Sequence, residues 1–477
     1  MKEIIAVVLS AEKMILANQA EYGSSYPRMR FAAPAEAADF RRRRAELLVA
    51  LSEQPRARFA CQGTKYYSGE LSPGCAACGA GQWSCLFING ICNGTCFYCP
   101  SLQKTKGEPM TNNLRFPFLL DYLDYVAVFG FSGVSLSGGE PFMTFERTLN
   151  HVRKLKKRFG STIHLWLYTN GILATSEKIA LLAEAGLDEI RFDISADNYR
   201  LDHVKLAVNR IPRITVEIPA IPEDLHLMRE KLAELAAAGV HHLNLHQLRC
   251  TPHNLNNFLA RGYILTHGPR VVVPESEITA LRLLLTACEI GGPSVNYCSF
   301  AYKSRYQEKA ARMRTASILA APYEDVTGAG YIRSLSVTGD ETELKERLAL
   351  FAENGVNQKH VYLEKNGRLF FNRTIWPLMD FTGLELRVKY FNPQLRENVS
   401  YRGSHKKIQI NRKRSLVAER IPVNAAREIP AAARKLFAES FIRREGEDGG
   451  SGGSPDHETF GDLSIYERVL PGLQKYF

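Results

Sequence analysis

The chain has 477 residues, 45% of them hydrophobic and 23% charged, with 22 prolines, 35 glycines and ten cysteines. That composition excludes collagen-like, wholly disordered and disulfide-stapled classes and leaves a globular protein of two or three domains. The formal charge of +11 permits an anionic partner such as nucleic acid or an acidic protein, although a solvated basic surface accounts for it equally well.

Residues 1–58 read as helical, with the run Arg41–Arg44 leading into the amphipathic AELLVAL. The apolar stretch Ile4–Leu9 is far short of a membrane span, and a single Lys2 followed by Glu3 is a poor start for a signal peptide, so a cytoplasmic protein without membrane association is expected. Residues 59–82 are rich in Gly, Cys and small residues without periodicity. They predict a loop organised by something other than a hydrophobic core.

From residue 84 short strand-like runs alternate with helical stretches, the pattern of parallel β/α units. The runs are 84–89, 134–138, 163–170, 189–195, 213–220 and 241–248. Side chains alternate between faces along a strand, so Ile163, Leu165, Leu167, Ile190, Phe192, Ile194, Ile214, Val216, Ile218, Leu243 and Leu245 are expected under the helices. The other face would carry His164, Trp166, Tyr168, Arg191, Asp193, Ser195, Glu217, His242, Asn244 and His246. Closed barrels fill their lumen mainly with branched aliphatics. A polar inner face therefore predicts an α/β fold built on an open, partial (β/α)6 barrel with a wet or ligand-filled interior.

The expected divisions are an N-terminal helical segment (1–58), a cysteine-rich segment leading into the first strand (59–91), the partial barrel (84–250), an extension of it (251–330), a small α+β domain (331–400), and a C-terminal part (401–477). Within the α+β domain, Asn366-Gly367 predicts a hairpin turn. The C-terminal part holds seven Lys and Arg against one Glu in 402–420, a Gly/Ser linker at 445–456, and a tail with enough apolar residues to dock.

Seven of the ten cysteines lie between Cys61 and Cys99. In a reducing compartment such clustering points to metal ligands. Cys92, Cys96 and Cys99 form C-x3-C-x2-C directly after the first strand, within ICNGTCFYCP. Three thiolates on a tight loop suit three irons of a [4Fe–4S] cubane, and a zinc knuckle is the alternative, although its ligands usually come as four in paired spacings. At the end of the second strand stands Ser137-Gly138-Gly139-Glu140-Pro141. Alone it reads as a strand-end turn.

Together these motifs resemble the radical SAM superfamily over about 85–250. The fuller set SPGCAACGAGQWSCLFINGICNGTCFYCP, HLWLYTNG, LNLHQL and NYCSFAYKSRYQ looks like a group related to the pyruvate formate-lyase activating enzymes. The resemblance implies that Cys92, Cys96 and Cys99 bind the cluster, leaving one iron to chelate S-adenosylmethionine, with Tyr98 at the aromatic position before the third cysteine. It implies that Ser137, Gly138, Gly139 and Glu140 meet the methionyl moiety, that Asp193 and Ser195 lie on the ribose-contacting strand, and that Asn170 is a further polar contact. It also implies reduction by a flavodoxin-like or ferredoxin-like electron donor and hydrogen abstraction by a 5′-deoxyadenosyl radical.

Upstream, Cys61, Cys75, Cys78 and Cys85 have a count and spacing compatible with one structural zinc or iron, with a second Fe–S cluster or with free thiols. Substrate-side chemistry is expected from His242, Asn244, His246 and Glu217, with Tyr297, Cys298 and Lys303 further along. Buried core histidines are the ordinary alternative. Cys298 reads as a hydrogen donor or an extra cluster ligand. There is no dense cysteine array after the barrel, and Asp224-Leu225-His226 lacks the glycine of a cobalamin fingerprint. The function expected is a radical SAM enzyme acting on a protein or peptide, as an activase or a side-chain modifier. An RNA-modifying enzyme and a non-catalytic Fe–S or zinc protein that binds or senses are the alternatives.

Overall fold

The computed structural model describes residues 2–442 and 457–476, so the linker expected at 445–456 lies outside the described residues. The chain forms two compact units, one of residues 11–307 and 471–477 and the other of 1–10 and 308–470.

The first unit opens with the part of helix α1 (Lys2–Tyr22) that follows residue 10 and with helix α2 (Pro34–Ser52). Strands β1 (Ala57–Ala60) and β2 (Lys65–Ser68) then form an antiparallel hairpin, followed by helix α3 (Pro73–Gly79). Residues 59–82 are thus not the predicted loop. Ser72 caps α3 by accepting from Cys75 N at 3.2 Å, and Pro73 suits the first helical position, where no N–H is needed.

The parallel strands follow: β3 (Trp83–Ile91), β4 (Gly133–Gly138), β5 (His164–Thr169), β6 (Glu189–Phe192), β7 (Arg213–Pro219), β8 (His242–His246) and β9 (Ser294–Cys298). They pair in chain order, all parallel. Six strands were expected. The seventh, β9, lies in a stretch whose periodicity is obscured by the long insertion before it. β2 pairs antiparallel with β9, making β1 one edge of the sheet, and the short strands Met110–Thr111 and Leu114–Arg115 continue beyond β3 to the other.

The predicted alternation explains the packing. Leu165, Leu167, Ile190, Val216, Leu243 and Leu245 are fully buried, each contributing about 1.5–3 kcal/mol by leaving water. On the opposite face the amino ends of the strands are covered by protein. Helix α3 packs against β3, β4 and β5 at the amino ends of the strands. A Cβ on Gly74 would stand 2.3 Å from Arg191 Nη2 and 3.1 Å from Trp166, so only glycine lets α3 approach this closely. Apolar surface on α3 and the polar residues it covers together fill that end of the interior.

The second unit is an antiparallel sheet. Its main strands are β10 (Ile332–Thr338), β11 (Val361–Glu364), β12 (Arg368–Phe371), β13 (Glu385–Arg396), β14 (His405–Gln409) and β15 (Ser415–Pro422), in the order β11-β12-β10-β13-β15-β14, with the two-residue strands Asp325–Val326 and Arg427–Glu428 pairing onto β10 and β13. β11 and β12 pair with Glu364 opposite Arg368, and Gly367 has φ +74° in the turn between them, as the Asn-Gly signal predicts. The basic stretch 402–420 proves to be the β14–β15 hairpin, with β14 at the sheet edge.

Candidate functional site at the carboxyl ends of the parallel strands

Strand β3 delivers the chain directly into the loop of Cys92, Cys96 and Cys99. Cys92 Sγ accepts from Gly94 N at 3.2 Å and from Asn170 Nδ2 at 3.8 Å. A Cβ on Gly94 would meet Cys92 Sγ at 3.4 Å and Cys96 Sγ at 3.5 Å, so a larger residue would crowd the space between the two sulfurs. Burial raises the Cys92 and Cys96 thiols, the latter to about 11. Beneath the loop, Asn254 Nδ2 donates to Tyr98 O at 3.0 Å and the Arg261 guanidinium stacks 3.7 Å from the Phe97 ring centre.

Among the described residues no three His, Cys, Asp or Glu side chains converge on a point where a single ion would sit. A cubane does not require that convergence, because each thiolate takes a separate iron. Three half-buried thiols on one eight-residue loop, kept apart by a glycine, are a donor set that could hold such a cluster.

The second motif meets the same loop from β4. A Cβ on Gly138 would fall 2.3 Å from Asn89 O and one on Gly139 only 1.9 Å from Ile91 O, so both glycines are demanded by the backbone of β3. Ser137 stands opposite Phe87 just before the irregularity in this pairing. Glu140 is buried and accepts from Phe142 N at 2.9 Å, Thr169 Oγ1 at 2.8 Å and Asn170 N at 2.7 Å. Burial pushes its carboxyl up to about 7 against these donors. Its role in the geometry is to hold Asn170, whose amide donates to Asn93 Oδ1 at 2.8 Å.

From the end of β6, Asp193 accepts from Tyr98 Oη at 2.8 Å and from Ser195 Oγ at 2.5 Å. Ser195 and Tyr98 lie 2.7 Å apart. The structure therefore gathers the three motif cysteines, Tyr98, Glu140, Asn170, Asp193 and Ser195 at one end of the sheet.

A charged network runs down the inner face. Arg191 donates to Glu189 at 2.8 Å, Glu217 at 2.7 Å and Ser72 Oγ at 3.1 Å, and stacks on Trp166. Glu217 also accepts from Asn244 Nδ2 at 2.8 Å and pairs closely with His246 Nε2, whose Nδ1 faces Lys303 Nζ at 2.5 Å. Burial would raise Glu217, but Arg191 and His246 outweigh it and hold the carboxylate well below its ordinary range. Burial lowers both His246 and Lys303.

Two expected substrate-side residues stand apart. His242 begins β8, level with Ser294, at the end of the strand away from the cysteine loop, and burial takes it down to about 4. Tyr297 donates to Glu277 Oε2 at 3.0 Å, on the helix side of the sheet. The upstream cysteines do not come together as the set Cys61, Cys75, Cys78 and Cys85. Cys75 and Cys78 lie on α3, and Cys61 lies in the β1–β2 turn. Cys85, on β3, is held by Ser135, with burial raising its thiol to about 11. Lys65, Asn296, Tyr302 and Gln307, which no sequence motif marks, line the surroundings of Cys75, Cys78 and Cys298. The alternation of Ser294, Asn296 and Cys298 with Val295 and Tyr297 was the available signal for Asn296.

A family model described as the radical SAM superfamily matches residues 86–217. A Methanocaldococcus jannaschii protein named "Putative glycyl-radical enzyme activating enzyme" is 30% identical over 300 residues, covering 60% of this chain and 79% of that protein. A GTP 3′,8-cyclase from Lactiplantibacillus plantarum is 30% identical over 150 residues, 31% of this chain and 43% of that protein. Among solved structures, Streptococcus suis SuiB bound to S-adenosylmethionine is 13% identical with a TM-score of 0.32, covering 47% of this chain and 55% of that one.

Proposed function

Because the chain belongs to the radical SAM superfamily, we propose that it is a radical SAM enzyme whose [4Fe–4S] cluster is held by Cys92, Cys96 and Cys99 and whose substrate is a protein or peptide. The single observation carrying the substrate class is the 79% coverage of a relative named "Putative glycyl-radical enzyme activating enzyme". On this reading the sheet is a partial barrel, and the chemistry occurs at the carboxyl ends of its strands.

Bound at that loop, the cluster and S-adenosylmethionine would supply a 5′-deoxyadenosyl radical. The chain's own residues supply orientation. Asn170, fixed by Glu140, and the Ser137–Gly139 strand end would receive the methionyl group. Asp193 and Ser195 would receive the ribose, with Tyr98 locking their geometry. Glu217, His246 and Lys303 would meet the substrate or its protons, and Cys298 stands at the same end of β9. Asn244 positions Glu217 rather than reaching the loop. The electron would come from a flavodoxin-like or ferredoxin-like donor.

Anaerobic incubation of the reconstituted enzyme with S-adenosylmethionine, reductant and a candidate glycyl-radical protein tests this reading. A glycyl-radical EPR signal or a mass change on that protein is expected. An unchanged candidate protein alongside a modified tRNA would replace it with RNA modification. That second reading is favoured by one observation: Lys406, Lys407 and His405 are exposed on the edge strand β14, with Tyr401 89% exposed beside them. Salt-sensitive binding of tRNA would support it, and no binding at low salt would remove it.

A further inference from the structure

On the inner face, where α3 and β2 meet β8 and β9, nitrogen donors surround sulfur. Asn296 Nδ2 donates to Asn244 Oδ1 at 3.0 Å and lies 3.6 Å from Cys75 Sγ and 3.5 Å from Cys298 Sγ, so one amide stands between thiols from α3 and β9. Cys75 Sγ also accepts from Asn244 Nδ2 at 3.3 Å, and Cys78 Sγ accepts from Gln307 Nε2 at 2.7 Å. Lys65 is 2% exposed, and its Nζ is 3.6 Å from Cys298 Sγ and 4.1 Å from the Tyr302 ring centre. The Tyr302 hydroxyl is buried without a hydrogen-bond partner, within electrostatic reach of Cys78, Cys298, Cys61 and Cys75.

Neutral thiols are weak acceptors, and a buried ammonium needs an anion. No carboxylate forms an ion pair with Lys65 among the described residues; its neighbours are sulfurs. An array of N–H and O–H donors plus a buried cation is complementary to thiolates, and buried thiolates persist when a metal holds them. We propose that Cys75, Cys78 and Cys298, with Cys61 as fourth ligand, form a second thiolate-bound metal centre, with Lys65 offsetting its negative charge.

This set replaces Cys85 with Cys298. The C-x2-C pair on α3 supplies two ligands one helical turn apart, and the β2 and β9 strands bring the other two through antiparallel pairing of Lys65 with Cys298. The sulfurs do not converge on one point as they stand, so loading turns the thiols inward and releases their protons. Zinc and an iron–sulfur cluster share this ligand chemistry, and the metal analysis tells them apart.

The test uses the full chain carrying Cys92→Ala, Cys96→Ala and Cys99→Ala, which removes the first site and makes the outcome independent of the proposed activity. After anaerobic loading with Zn2+, or with iron and sulfide, and desalting, about one zinc or about four irons per chain are expected. Adding Cys298→Ser should cut the retained metal at least tenfold, whereas Cys85→Ser should leave it. If neither metal is retained, or if Cys85→Ser abolishes retention while Cys298→Ser does not, the proposal is overturned. Should Cys298→Ser lose its fold by circular dichroism, Co2+ titration of the triple variant decides: thiolate-to-cobalt charge transfer with tetrahedral bands supports the centre, and their absence overturns it.

Discussion

The Tyr98 hydroxyl donates to the Asp193 carboxylate at 2.8 Å, joining the residue before Cys99 to the end of strand β6. The contact couples a sulfur-bearing loop to a strand that follows it by almost a hundred residues, and Ser195 closes the triangle at 2.7 Å from the same hydroxyl. Tyr98→Phe leaves Asp193 buried with one donor fewer, a loss of about 1–3 kcal/mol. The expected result is weaker S-adenosylmethionine binding by roughly tenfold or more with iron content unchanged. Calorimetric titration of the reconstituted variant, alongside iron analysis, reads both quantities.

Glu140 collects three donors, two of them from the turn that presents Asn170. Replacing it with Ala would leave Thr169 and the Asn170 N–H unsatisfied in a buried site, costing about 1–3 kcal/mol per orphaned group. Thermal unfolding should show a clear drop in Tm. Glu140→Gln, which restores an acceptor, should recover part of it.

Acid stability should depend on Glu189. Burial favours its neutral form, but Arg191 and His164 prevail and the carboxyl falls to about 2. A depressed folded-state pKa contributes stability above the unfolded value near 4.5, and that contribution is lost as pH falls toward 2. Unfolding titrations between pH 5 and 2 should therefore show a steeper loss in the wild type than in Glu189→Gln. Arg191→Met, which strands Glu189 and Glu217 without their cation, should cost about 3–5 kcal/mol at neutral pH.

His246 sits between Glu217 and Lys303, bonded on both ring nitrogens. If this chain meets substrate, His246→Gln should lower product formation at least tenfold while 5′-deoxyadenosine formation persists, an uncoupled phenotype. Parallel assay of both products distinguishes it from a general loss of activity. His242→Gln, at the other end of the strand, should leave that ratio unchanged.

Much of the site was legible because its signals are local. The cysteine spacing 92–96–99 and the Gly138-Gly139 pair are short motifs at strand ends, and period-two alternation assigned Ile190 and Arg191 to opposite faces. What filled the inner face was not legible. Burial of Arg191 depends on Gly74 admitting α3 to within contact distance, a relationship between residues 117 positions apart in sequence. Likewise Cys298 meets Lys65 only through the pairing of β2 with β9, a contact that no local motif announces. Strand β9 itself went unrecognised because residues 251–293 separate it from the regular β/α rhythm.

The most direct test is cleavage of S-adenosylmethionine by anaerobically reconstituted protein reduced with dithionite, with and without candidate substrate. The account predicts 5′-deoxyadenosine from the wild type and none from the Cys92→Ala, Cys96→Ala, Cys99→Ala variant. A wild-type protein carrying about four irons at that loop that yields no 5′-deoxyadenosine under any reductant or substrate, or a triple variant that still yields it, would contradict the account.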